Sequence, residues 1–255
     1  MLSSRARIWS VATASAGVLL LTGLTTAPSQ AAADAEIYVV QGLPGKSLDI
    51  EVDGKTVARD VKTAAVVGPF SVRGGNRKVT FSDAGDVVLE RKFDVKAKSS
   101  WDVVVHLPEK SGRDATVTVF RNDLSSVPQG KASLTVAHTA TVPPADIQVD
   151  GKVLFADIGN GESLNLVVPV ATYKVAIVPT GKSKPVILGP VSLTVKGGYL
   201  NRVYAIGDPS KKTMNVAVHV IAAGARGSDE PSRVDTGTGG QAVGYQSTSL
   251  VPLTR

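Results

Sequence analysis

Asp49, Glu51 and Asp53 occupy alternate positions in the stretch D-I-E-V-D-G-K. On an extended chain that spacing sets three carboxylates on one side, and calcium draws its oxygen ligands from such clusters. These three residues are the candidate metal ligands of the chain. The stretch returns as D-I-Q-V-D-G-K at Asp146–Lys152, with Gln148 in place of the middle acid. Calcium needs roughly 6–8 oxygens and a curved loop, so a solvated polar face is the favoured reading. No metal or other cofactor is expected.

Other chemistries are weaker still. Val40–Ser47 and Pro179–Ser183 both end in G-K-S, but neither has the earlier Gly nor the following helix that a phosphate loop requires; both read as turns. There is no cysteine and no G-x-S-x-G elbow. His106 and His219 alternate within apolar strands and read as strand-surface residues. His138 lies at a strand end beside Pro143 and Pro144 and is the histidine to test, alone or with Asp146 in a shared cleft. The loops carrying Leu43 and Pro44, and His138, Pro143 and Pro144, are the candidate contact surfaces, since rigid scaffolds place contacts on loops. Trp101, in an apolar strand, reads as a core residue, which weighs against a carbohydrate platform.

The net charge is +6 over 255 residues. Basic and acidic residues are interleaved, without the clustered stripe of a nucleic-acid surface. Arg5 and Arg7 precede the apolar run Val11–Leu24, and T-T-A-P-S-Q-A-A-A follows. This is the anatomy of a secretory signal peptide over 1–31, cleaved after Ala31 or Ala33. No membrane span is expected after cleavage. Residues 223–255 are rich in Gly, Ser, Thr and charge and read as a disordered tail, with an apolar patch at Leu250–Leu253.

The doubled stretch belongs to a longer repeat. Ala35–Gln41 aligns with Ala132–His138, and later segments align at offsets near 96 to 100. Each copy is long enough to fold as a domain. Period-two alternation, as in Ile50 to Asp53, and turn dipeptides such as Asp53-Gly54 and Asp150-Gly151 give short strands about every ten residues. The fold class is all-β: two tandem immunoglobulin-like β-sandwiches over 35–122 and 131–222, joined by a linker at 123–130. Ile50, Val52, Ile147 and Val149 should face the cores.

The second copy, through His138, Pro143-Pro144, Asp146–Gly151, Ala171–Val175 and Tyr199, resembles the domain of unknown function 4397 family. The first copy departs from that pattern, with Gln41 in the histidine's place. The resemblance implies an immunoglobulin-like sandwich in tandem in a secreted bacterial protein, of actinobacterial type, and brings no catalytic residues. The expected function is a secreted or cell-surface, non-catalytic binding protein, a monomer whose partner is an extracellular protein or an envelope polymer. The alternatives are a structural envelope protein held by weak electrostatics and, last, an enzyme of unrecognised type.

Overall fold

The computed structural model describes residues 34–224. The expected signal peptide lies outside the described residues, as does the expected tail beyond Gly224. Among the described residues there are sixteen strands, one turn of 3-10 helix at Pro209–Lys211, and no α-helix. Strands are numbered in chain order.

In the first half, β1 (Ala35–Gln41), β4 (Val66–Val72), β7 (Ser100–His106) and β8 (Thr116–Asn122) form a sheet in the order β4-β1-β7-β8. Facing it, β2 (Ser47–Val52), β3 (Lys55–Lys62), β5 (Gly75–Asp83) and β6 (Asp86–Val95) form a sheet in the order β3-β2-β5-β6. The second half repeats this arrangement. Its sheets are β12-β9-β15-β16, from β9 (Lys131–Ala140), β12 (Ser163–Pro169), β15 (Tyr199–Gly207) and β16 (Asn215–Ala222), and β11-β10-β13-β14, from β10 (Ala145–Val149), β11 (Lys152–Ile158), β13 (Thr172–Pro179) and β14 (Leu188–Thr194). Even the parallel pair recurs, β1 with β7 and β9 with β15. The chain is nearly all β, two sandwich-like units with one topology.

The repeated turns explain the repeated hairpins. Asp53 and Gly54 have φ of 52° and 79°, and Asp150 and Gly151 have 50° and 78°. Left-handed backbone at both central positions is the type I′ geometry that matches strand twist, and it pairs Val52 with Lys55 and Val149 with Lys152. Upstream, Leu48, Ile50 and Val52 turn into the first core and Ile147 into the second, while Val149 is half-buried.

Each sandwich has its own core, around Ile37, Ile50, Phe81 and Val103 in the first and Leu134, Ile147, Phe155 and Val203 in the second. A third apolar cluster joins Val40, Val104 and Phe120 to Ala137, Tyr204 and Ile206. The sheet carrying β7 therefore packs on the sheet carrying β15, and the two sandwiches stack as four layers. This corrects the reading of two histidines. His106 and His219 do leave their own sandwich's core, but the face they occupy is covered by the other sandwich, and both are buried.

Candidate functional site

The paired aspartates of the doubled stretch serve the backbone. Asp49 Oδ1 accepts from Asp60 N and Asp146 Oδ1 from Asp157 N, each at 2.9 Å. Asp60 and Asp157 have φ of 55° and 57°, so each carboxylate steadies a left-handed residue in the neighbouring strand, where pairing slips register. Asp53 and Asp150 likewise accept from Lys78 N and Lys174 N at 2.9 Å. Asp49 also pairs with Arg59 and Asp53 with Arg77. The carboxylates posed as calcium ligands with Glu51 are thus committed to amides and guanidinium groups. Among the described residues, no three acids or histidines converge on a metal position.

The two candidate loops divide between core and surface. Leu43 is a core side chain, held inward because Gln41 accepts from Leu43 N and donates to Leu43 O and Lys46 O. Pro44 is half-buried, while Pro143 and Pro144 are exposed. His138 is buried and occupies the position of Gln41 in the second copy. Its Nε2 lies 3.4 Å from Pro143 O and its Nδ1 3.4 Å from Ala140 N. Leu43 and His138 are therefore buried and shape their loops from beneath. Asp146, posed as a companion of His138, is buried with its second oxygen on Gly181 N. Trp101 packs against the first core, edge-on to Phe93 at 6.2 Å.

A polar cluster unforeseen in the sequence lies between the sandwiches. Asp102 accepts from the Tyr204 hydroxyl and from Asn122 Nδ2 at 2.7 Å, and His219 Nδ1 lies 3.0 Å away. An ionised carboxylate only accepts, so His219 carries a proton on Nδ1. Burial pushes the Asp102 carboxyl up, and the bond to His219, the charges of His219 and Arg202, and the Asn122 amide outweigh it, holding the group below its usual range. Burial and the Asp102 charge raise the Tyr204 hydroxyl well above its ordinary value. An acid, an imidazole and a phenol in contact have the parts for proton transfer. A transfer group must reach its substrate, however, and Asp102 and Tyr204 are 0% exposed. The cluster is a joint: matched charges and hydrogen bonds fix how one sheet seats on the other.

The most apolar of the hollows that open outward belongs to the second sandwich; those on the first are lined in larger part by polar and charged groups. A cleft of about 480 Å³ enters between its sheets, where β14 and β16 form the edge. Its walls are Val175, Ile177 and Leu193 on one side and Val203, Ala205 and Val216 on the other, with Ser192 and Asn215 as the polar lining side chains. Sheet register shows why the first sandwich is closed at the same place. Phe81 pairs with Ile50, and Ile177 pairs with the equivalent Ile147. In the same way Phe93 corresponds to Leu193 and Trp101 to Asn201. Three rings of the first core are replaced by two aliphatic chains and an amide, and Asn201 is drawn off to the carbonyls of Ser133, Lys196 and Tyr199. Ring volume missing from a close-packed interior leaves a gap. The surface changes with it: among the described residues, of the exposed large aliphatic side chains Val87 and Val88 belong to the first sandwich and the other nine, including Val191 and Val218 at the cleft, to the second.

Residues 35–148 match the family model described as Domain of unknown function (DUF4397). The DUF4397 match covers the whole first sandwich, crosses the linker and ends within β10. It takes in Asp102 and both loops considered above, and stops before β13–β16, which build most of the cleft. No curated protein matches the chain. Among the described residues no helix is long and apolar enough to cross a membrane. The cleft has one signal in the sequence, the loss of aromatic residues between aligned copies, and reading it requires the strand register.

Proposed function

We propose that this chain is a secreted, non-catalytic binding protein made of two copies of one domain, and that its second copy holds an apolar ligand in the cleft between β13–β14 and β15–β16. The observation that carries this reading is the contrast between equivalent places in one topology, packed with rings in the first sandwich and open in the second. A cleft of this size, apolar with few polar groups, has the form of a small-molecule site. The first sandwich then serves as a rigid support. Its 26 charged residues over 35–122, against 14 over 131–222, suit it to face solvent. Export rests on the sequence of residues 1–31.

The test is titration of the full chain with the neutral fluorescent probe N-phenyl-1-naphthylamine, beside the variant Leu193→Phe, which installs the first copy's residue. One probe per chain is expected, with binding lost in Leu193→Phe while cooperative thermal unfolding persists. No uptake, or equal uptake by the variant, would refute the cleft as the site.

A further inference from the structure

Two loops close one end of the cleft, and they differ in kind from those of the first sandwich. Residues 180–187 (T-G-K-S-K-P-V-I) lead into β14, and residues 207–214 (G-D-P-S-K-K-T-M) lead into β16. Their apolar ends, Ile187 and Met214, pack together with Ile177 and Ala205, and Ile177, Ala205 and Met214 line the cleft. The loops are thereby pinned to its rim. Together they carry Lys182, Lys184, Lys211 and Lys212, all exposed.

A single carboxylate, Asp208, lies within these two loops, and it is already engaged. Its Oδ1 accepts from Ser210 N and Oγ, its Oδ2 accepts from Ser111 Oγ, and Lys211 Nζ is 4.0 Å away. Asp146 and Asp157 tie the base of the first loop through Gly181 N and the Thr180 hydroxyl. In the first sandwich the β5–β6 connection is the two-residue turn Ala84-Gly85, flanked by Asp83 and Asp86, and the β7–β8 connection balances Glu109 and Asp114 against Lys110 and Arg113. The excess of lysine thus accompanies the cleft.

We infer that the ligand is a single-chain anionic amphiphile, a long-chain fatty carboxylate whose alkyl chain fills the aliphatic cleft and whose head group lies against Lys182, Lys184, Lys211 and Lys212. This rests on the reading of the cleft as a ligand site and adds the sign of the head group. An aliphatic wall without converging polar groups gains affinity from methylenes alone, about fourfold for each one removed from water. Four exposed lysines on the two loops at this end of the cleft supply an unspecific positive field, suited to an anion held near solvent and weakened by salt.

The experiment displaces N-phenyl-1-naphthylamine from the full chain with palmitate, methyl palmitate or hexadecyltrimethylammonium. Palmitate is expected to act at a concentration at least tenfold below the other two, and decanoate to need far more than palmitate. Replacing all four lysines by Gln, or raising salt to 1 M, should bring palmitate to the level of its ester while leaving probe affinity unchanged. Equal displacement by the three compounds, or no effect of the lysine variant, would overturn the anionic head group and leave the apolar site standing. Failure of the probe to bind would remove both. Uptake that emerges only after deletion of residues 225–255 would assign the cleft to the chain's own apolar end, Leu250–Leu253, and overturn the proposal.

Discussion

His106 shows how a single side chain links the fold to solvent pH. Its Nδ1 lies 2.8 Å from Leu107 O and its Nε2 2.8 Å from the Thr118 hydroxyl. A carbonyl only accepts, so Nδ1 bears the hydrogen and Nε2 takes the hydroxyl proton, which satisfies a neutral ring. Burial first, then the charge of a protonated His138, lowers its pKa from 6.5 to about 4. Burial also lowers His138. The native state therefore binds fewer protons than the unfolded chain between pH 6.5 and 4, so the contribution to stability is full above 6.5 and is lost as pH falls toward 4. The interval for His106 alone is worth at most about 3 kcal/mol. The urea midpoint should drop between pH 7.5 and pH 4.5, and His106→Gln should flatten that slope; a pH-independent midpoint in the unaltered chain would contradict the assignment. The histidine itself does not separate a solvent face from one covered by a second sandwich. The legible clue was the unbroken run Val103–Val105, since strands buried on both faces lose their alternation.

At the scale of the element, the hairpins were readable and the openings between sheets were not. Asp-Gly between alternating residues names its own turn, because two adjacent left-handed positions admit few residue types. The burial of Leu43 was hidden for the opposite reason: the inward fold of its loop depends on the side chain of Gln41, and turn composition alone does not encode that. The cleft was harder, since Leu193 and Asn201 matter only through the rings that stand at the same register one copy earlier. Two glycines separate conformational cost from steric cost. Gly54 has φ of +79°, and an added Cβ there would meet nothing within 4 Å, so Gly54→Ala should lose about 1–2 kcal/mol from the left-handed backbone alone. At Gly207, φ is +101° and an added Cβ would lie 2.2 Å from Thr213 O, a backbone atom. Gly207→Ala should therefore cost at least twice as much in thermal unfolding. Equal losses would mean that the Thr213 segment yields freely, and the rim of the cleft with it.

For the whole molecule, the question is whether four stacked sheets behave as one body. The middle pair is joined by Val40, Val104 and Ile206, and by Tyr204, whose ring lies 5.8 Å from Phe120 and whose hydroxyl donates to Asp102. Peripheral bonds add to it, with Asn160 Nδ2 donating to both Leu107 O and Ala140 O, and Arg202 Nη2 to Arg121 O. A buried interface with a charge on each side cannot open halfway without stranding those charges, so the chain should unfold in one calorimetric transition. Tyr204→Phe removes one donor, costs about 1–3 kcal/mol and should keep that single transition. Tyr204→Ala leaves a cavity worth roughly 3–5 kcal/mol and an Asp102 short of a partner, and should split unfolding into two steps. β15 carries this coupling onward, since Tyr204 faces the joint while its neighbours Val203 and Ala205 face the cleft. Loosening the joint should therefore weaken probe uptake severalfold in Tyr204→Ala and hardly at all in Tyr204→Phe. Unchanged uptake in Tyr204→Ala, measured below its first transition, would show that the second sandwich shapes its cleft without support from the first.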